Sequence, residues 1–172
     1  FEKKVYDLTY MVGSGSFLGP ALLVERGLID PFTFVVDRNC GALIGLYAAH
    51  YGHIKFLRWF KDYRDQKGEA IDFTKMNDQF NCNIAHYAVR QGHLSTLIWI
   101  NEKVQIDFKI QDSYGYSCLD YSVIYKKLHC FTFLAFKCGL KQFNYKHADH
   151  LAEVLCKKYD DTSKAFILII MR

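Results

Sequence analysis

The chain has 172 residues, of which 51% are hydrophobic and 16% aromatic, and its formal net charge is +4. This length and composition exclude a disordered tail and allow one compact domain or one short repeat array. Basic and acidic residues are interspersed without long runs of one sign, which argues against nucleic acid as a partner.

The six cysteines are spread through apolar segments, and none belongs to a Cys-x-x-Cys pair. We therefore expect buried free thiols in a reducing, cytoplasmic compartment rather than a zinc ribbon or a redox motif. No signal peptide or apolar run of membrane-spanning length occurs, so we expect no membrane insertion. Because the chain starts at Phe1 and stops abruptly after AFILIIM, we expect a piece of a longer protein.

A pattern of about 34 residues repeats along the chain. Its copies, in order, are VYDLTYMVGSGSF, LIGLYAAHYGHI, NIAHYAVRQGHL and SCLDYSVIYKKL, of which the first is faint. A tyrosine takes the same place in every copy: Tyr10, Tyr47, Tyr87 and Tyr121. The motif GSGS in the first copy lacks the Gly-Lys-Ser/Thr ending and the preceding strand of a phosphate-binding loop, so we reject that assignment.

Each copy is followed by an apolar stretch with helical periodicity, such as IKFLRWFKDY or LSTLIWINEK. The turn signals DQFN and DSYG precede two of the copies. The pattern predicts a unit of turn, helix, short turn and second helix, with Trp59 and Trp99 of the second helices in the core.

Two segments depart from the repeat. The charged segment Lys61–Met76 lengthens the second unit, and we expect it to lie outside the stack as a surface insertion. The C-terminal segment lacks the turn signature, and we expect Thr162 or Ser163 to cap its last helix. Its preceding helix should bury one apolar face, made of Ala148, Leu151, Ala152, Leu155, Cys156 and Tyr159.

These motifs resemble the ankyrin repeat, whose pattern is Asp-x-x-Gly-x-Thr-x-Leu-His-x-Ala-x-x-x-Gly-His. The best copy matches it with Asp78, Asn81, Asn83, Ala85, His86, Ala88, Gly92 and His93. The next copy keeps Asp112, Gly115, Ser117 and Leu119, and the preceding copy keeps Gly41, Ala49, Gly52 and His53. The copy SCLDYSVIYKKL has Asp120 in place of the first His of the pattern, and Lys126-Lys127 in place of its Gly-His.

The resemblance implies an all-α ankyrin-repeat solenoid of about four to five helix-turn-helix units with a degenerate C-terminal capping pair. The units would span roughly 1–36, 37–77, 78–111 and 112–144, and the cap 145–172. It also implies that His53, His86 and His93 make hydrogen bonds to the backbone. We expect no catalytic residues, because no nucleophile with an orienting base accompanies these histidines. The pair His147 and His150 lacks a third ligand, so we expect no metal and no cofactor.

The resemblance further implies a function in protein binding. We expect a monomer that takes a partner protein or extended peptide on the concave side of the stack. Tyrosine, arginine and phenylalanine are the residue types that form interface hot spots. The candidate contact residues are Tyr47, His50, Tyr51, Phe80, Tyr87, Arg90, Gln91, Tyr114, Tyr121 and Tyr125. For the repeated tyrosines, packing between units and contact with a partner are both open, since a buried ring could leave its hydroxyl free.

Two alternative functions remain open. The strings AVRQGHLS and YGYSC are similar to ankyrin-repeat S-palmitoyltransferases, in which the repeats precede a membrane-bound Asp-His-His-Cys domain. In that family the Trp position and a polar residue four places on help recruit substrates, and Tyr47, Tyr51 and Tyr87 take those places here. The other alternative is a structural spacer between domains.

Overall fold

The computed structural model describes residues 14–15, 18–28, 40–66, 68, 71–140, 143 and 148–170. This part of the chain is helical and contains no strand, only an isolated bridge between Asn77 and Asn83. The α-helices are α1 (Leu18–Glu25), α2 (Cys40–His50), α3 (Ile54–Gln66), α4 (Ile84–Gln91), α5 (Leu94–Trp99), α6 (Cys118–Ile124), α7 (Leu128–Thr132), α8 (Ala148–Lys158) and α9 (Asp161–Ile170). Both α5 and α7 continue into one wider π-helical turn, at Ile100–Val104 and Phe133–Lys137. The expected all-α class is confirmed for these residues.

The helices pack in two layers. One layer contains the first helix of each unit, so that α2 packs against α4, α4 against α6 and α6 against α8. The other layer contains the second helices, with α3 against α5 and α5 against α7. Within each unit the two helices also pack together, and the apolar faces of both layers form one continuous core.

The start of α4 shows why its sequence forms a helix at this position. The side chain of Asn83 accepts hydrogen bonds from the backbone of Ala85 and His86, and the His86 ring reaches back to the Asn83 backbone. This reciprocal capping satisfies amides that have no partner inside the helix. In the next unit Ser117 and Asp120 form the same capping box at the start of α6. A carboxylate therefore replaces the histidine without loss of the cap.

The two predicted turns have the same hydrogen bonds. A carboxylate oxygen of Asp78 accepts the amides of Phe80 and Cys82, and Asp112 accepts the corresponding amides of Tyr114 and Tyr116. The fourth turn residue has positive φ in both, 59° at Asn81 and 87° at Gly115. Asparagine and glycine tolerate this conformation, as the turn signals predicted. The adjacent turns are joined by the amide of Ser113, which donates to the carbonyl of Phe80 at 2.8 Å.

A contact between glycine and the next unit recurs three times. A Cβ at Gly52 would lie 2.5 Å from the His93 ring, and one at Gly15 would lie 3.0 Å from His53. At the next step a Cβ at Gly92 would lie 2.9 Å from the side chain of Lys127. The three contacts join residues that are equivalent in the sequence alignment, and lysine takes the histidine place in the last of them.

The segment that follows α3 belongs partly to the core. Helix α3 runs on to Gln66, so the first part of the expected insertion is helical. Phe73 and Met76 are buried, and the Phe73 ring lies edge-on to Trp99 with a centroid distance of 5.7 Å. The prediction that Lys61–Met76 lies outside the stack is therefore wrong at these residues, because two large apolar side chains in the segment gain free energy by burial.

The C-terminal pair corrects two further expectations. In α8 the buried face contains Leu151, Val154 and Leu155, and Tyr159 just after the helix is also buried, whereas Ala152 and Cys156 are exposed. The side chain of Ala148 lies outside the described part of the chain. The cap of α9 is Asp160, whose carboxylate accepts the amide and the hydroxyl of Ser163. Aspartate is a stronger N-cap than threonine, and it stands one residue before the helix. The hydroxyl of Tyr159 donates to the carbonyl of Val123 at 2.9 Å and anchors this pair to α6.

Candidate functional site

The repeated tyrosines tie each first helix to its own turn. The Tyr87 hydroxyl donates to the Asp78 carboxylate at 2.9 Å, and the Tyr121 hydroxyl donates to Asp112 at 2.7 Å. The expectation of free hydroxyls is therefore wrong for both residues. The pKa of the Tyr87 phenol is raised, mainly by burial and secondly by its hydrogen bond to the Asp78 carboxylate. These phenols therefore remain protonated and keep donating at neutral pH.

The four tyrosine positions differ in exposure. Tyr121 is only 9% exposed and belongs to the core, so of the two roles left open for this candidate contact residue its burial favours packing. Tyr87 is half-buried, and Tyr47 is 36% exposed with its ring stacked on Tyr51 at 6.2 Å. Tyr10 lies outside the described residues. The His86 ring of the preceding unit packs edge-on against Tyr121 at a centroid distance of 5.2 Å, so packing between these two units pairs tyrosine with histidine.

A cleft of about 360 Å³ lies between the tips of the two turns and the helices α4 and α6. Phe80 and Tyr114 from the turn tips form one wall, with their rings stacked at a centroid distance of 5.8 Å. Arg90 of α4 and Tyr125, just after α6, form the opposite wall, and the guanidinium lies 5.2 Å from the ring centroid. The structure thus brings together predicted contact residues from two units.

The floor of this cleft is polar, and except for the partly exposed Asp78 it is buried. It contains the carboxylates of Asp78 and Asp112, the thiol of Cys82 and the edge of Tyr121. The Cys82 sulfur lies 3.3 Å from the Tyr121 hydroxyl oxygen. Burial raises the pKa of the Cys82 thiol to about 11, so it remains protonated at neutral pH. A protonated, buried thiol is a weak nucleophile, and the floor does not offer thiolate chemistry.

A second cluster contains the remaining predicted contact residues. The His50 ring lies edge-on to Tyr51 at 4.9 Å and to Tyr87 at 6.0 Å. The Gln91 amide nitrogen lies 3.2 Å from the His50 ring nitrogen, which joins α2 to α4. Burial lowers the pKa of His50, and the positive charge of Arg90 lowers it further. At neutral pH this cluster is therefore an uncharged aromatic and amide surface.

The histidines of the repeat have structural partners. His93 Nε2 lies 2.8 Å from the backbone carbonyl oxygen of His50 and so links two units. The His86 ring is fully buried in the capping box, and burial lowers its pKa. His150 Nδ1 lies 2.8 Å from the Tyr116 hydroxyl at the end of the cleft, while His147 lies outside the described residues. Within the described ranges, no group of three or more His, Cys, Asp or Glu side chains could hold a metal ion.

Several residues that line the cleft were not predicted from the sequence. Asp78, Asp112, Tyr116 and His150 line the cleft but were not among the predicted contact residues. The separation of nine residues between each aspartate and its tyrosine is a signal that could have indicated the paired carboxylates. His150 could not be found in this way, because its position depends on how α8 packs against α6.

No protein-family model and no curated protein matches the sequence significantly. Among solved structures, the chain is similar to one in the crystal structure of the yeast ribosomal protein Rps3 in complex with its chaperone Yar1. That similarity has a TM-score of 0.69 at 14% sequence identity and covers 84% of this chain and 99% of that chain. It supports the multi-helix fold. No helix among the described residues is long and apolar enough to cross a membrane.

Proposed function

We propose that this chain is an ankyrin-repeat module that binds a partner protein or extended peptide. The proposed binding surface, called here the first-helix face, consists of the turn tips and the solvent side of the first helices. The observation that carries this proposal is the cleft at which Phe80, Tyr114, Arg90 and Tyr125 meet. Aromatic and arginine side chains at one concave site are the typical composition of a protein-interaction hot spot.

The ankyrin assignment is supported by contacts that recur between units. The Asp turns, the capping boxes and the contact of Gly52 with His93 all fall at the motif positions that suggested the family. The similar solved structure is a complex between two proteins, which is in keeping with a protein partner for this chain. A protein partner for this chain is consistent with both observations.

The mode of binding that we propose is passive. The turn tips are held by the Asp carboxylates, and neighbouring turns are linked by the bond from Asn81 to the Gln111 carbonyl at 3.1 Å. A surface that is already ordered loses little conformational entropy when it binds. We propose binding without a catalytic step and without a cofactor. We also propose that the module acts as a cytoplasmic monomer.

Affinity capture with surface variants tests the proposal. The wild-type chain and the triple variant Tyr51→Ala, Arg90→Ala, Tyr114→Ala would be used to capture proteins from the native cell lysate. All three side chains are exposed, so the fold should be retained. Phe136→Ala is the matched control, because Phe136 is exposed on a different helix. A specific partner should be lost with the triple variant and kept with the control; a partner retained by both would refute this binding surface.

The palmitoyltransferase alternative has less support. Tyr87 is half-buried and its hydroxyl is bonded to Asp78, so this side chain is only partly available to recruit a substrate. Transmembrane helices and an Asp-His-His-Cys segment in the full-length gene would establish that alternative. A spacer role would be indicated if no specific partner were captured.

A further inference from the structure

The cleft has a chemistry that selects among partner side chains. Its upper walls are aromatic, and Phe80 and Tyr114 are 41% and 62% exposed. An exposed aromatic ring attracts a cation over its π-face, which carries partial negative charge. The opposite wall already shows this attraction, since the guanidinium of Arg90 lies 5.2 Å from the centroid of Tyr125.

The floor adds negative charge. Asp78 and Asp112 both line the cleft, and within the described part of the chain neither forms a salt bridge. Asp112 accepts the amides of Tyr114 and Tyr116 and the hydroxyl of Tyr121. Two carboxylates and one guanidinium line the cleft, so its formal charge is negative although the whole chain carries +4.

One acceptor remains available to a ligand. Among the described residues, the carboxylate of Asp78 accepts two amides on one oxygen and a single hydroxyl, that of Tyr87, on the other. A carboxylate oxygen accepts two hydrogen bonds readily, and Asp78 is partly exposed. The second oxygen of Asp78 therefore has capacity for a donor that enters the cleft.

We propose that this cleft receives a cationic side chain, lysine or arginine, from the partner. The aliphatic stem would pack along Phe80 and Tyr114, and the charged head would lie over the carboxylates and donate to Asp78. An acidic side chain would meet two like charges, and an aliphatic side chain would gain nothing from them. This inference rests on the proposed function, because it names the partner chemistry of the same surface.

Blocked short peptides that differ only in the central residue test the inference. The ¹⁵N-labelled protein would be titrated with peptides of sequence Gly-Ser-X-Ser-Gly, where X is lysine, arginine, norleucine or glutamate. Lysine and arginine should shift the amide resonances of Phe80 and Tyr114, and should bind about fivefold or more tightly than norleucine. Their affinity should fall as salt is added. Equal binding of norleucine, tighter binding of glutamate, or no shift with any peptide would overturn the inference.

Conservative variants separate the aromatic contribution from general apolar contact. Phe80→Leu with Tyr114→Leu keeps an apolar rim but removes both π-systems, and it should weaken lysine-peptide binding about fivefold. Phe136→Leu, at 62% exposure outside the cleft, is the matched control and should leave binding unchanged. Unchanged binding in the double variant would refute the cation–aromatic contact. If peptides fail while a captured partner still depends on the first-helix face, the cation preference is wrong and the proposed function stands.

Discussion

The hydroxyl of Tyr87 donates to the carboxylate of Asp78, nine residues earlier, at 2.9 Å. The next unit repeats the relationship between Tyr121 and Asp112 at 2.7 Å. Each aspartate also accepts two amides of its own turn, so one carboxylate joins the turn to the first helix. The tyrosines that suggested a contact surface therefore also hold the turn tips in place.

Removing the Tyr121 hydroxyl should destabilise the fold. In Tyr121→Phe the Asp112 carboxylate loses a buried charged hydrogen bond, and we expect the free energy of unfolding to fall by about 2 kcal/mol. The more exposed Tyr87→Phe should lose less, about 1 kcal/mol. Tyr125→Phe is the control, because its exposed hydroxyl has no hydrogen-bond partner among the described residues. Urea unfolding would measure all three, and an unchanged Tyr121→Phe would contradict the structural role.

Replacement by alanine should lower the free energy of unfolding by different amounts at two glycines that have the same backbone conformation. Gly52 and Gly68 have φ of 72° and 73°, but only at Gly52 would a Cβ meet another side chain, the His93 ring at 2.5 Å. We expect Gly68→Ala to lower the free energy of unfolding by about 1 kcal/mol through backbone strain alone. Gly52→Ala should cost about 2–3 kcal/mol, since overpacking adds to that strain. Thermal unfolding would compare them, and equal losses would show that the contact with His93 is unimportant.

Acidification should destabilise the fold through His86. Burial lowers the pKa of its ring in the folded state, whereas the unfolded chain takes up the proton near pH 6.5. The unfolded state therefore binds more protons, and stability falls as pH decreases below about 6.5, by up to about 1.4 kcal/mol per pH unit. His86→Gln keeps a capping group and should reduce this dependence. Unfolding free energies at pH 7.5 and 5.5 would measure it; an identical pH slope in the variant would exclude His86 as the source.

The cysteines should differ in reactivity by exposure. Cys156 is exposed, whereas Cys82 and Cys118 are buried, and burial raises the pKa of both buried thiols. We expect iodoacetamide at pH 8 to label Cys156 quickly, while Cys82 and Cys118 are labelled only on unfolding. Mass spectrometry of peptides taken over time would give the rates. Rapid labelling of Cys82 in the native state would contradict its assignment as an inert floor residue of the cleft.

The segment after α3 should contribute to stability. Phe73 is 2% exposed and packs against Trp99, so Phe73→Ala should lower the free energy of unfolding by about 3–5 kcal/mol. Phe136→Ala removes an equal side chain from an exposed position and should change it by less than about 0.5 kcal/mol. A loss in Phe73→Ala as small as that of the control would restore the interpretation of this segment as a surface insertion.

Local features were accessible to sequence analysis because they depend on neighbours in the chain. The turns at Asp78 and Asp112, the positive-φ residue Asn81 and the helix ending at Gly92 follow from residue types at fixed short spacing. The all-α class follows from the same periodicity. The predictions were wrong where two neighbouring residues could each act as the N-cap of a helix. At α9 the N-cap is Asp160 and not Thr162.

The tertiary structure decided which side chains are buried and which meet. Composition suggested that Lys61–Met76 is a solvated loop, but Phe73 and Met76 fill space beside α5 and α2 that the repeat leaves open. Likewise, all repeated tyrosines look alike in sequence, whereas Tyr121 is buried against His86 and Cys82 of the preceding unit and Tyr47 remains exposed. The sequence by itself determined the repeating unit and its register, since these are set by local hydrogen bonding. The existence of the cleft could be seen only in the tertiary structure. Its carboxylates and aromatic rings come from two different units, and the residue at its end comes from a third unit.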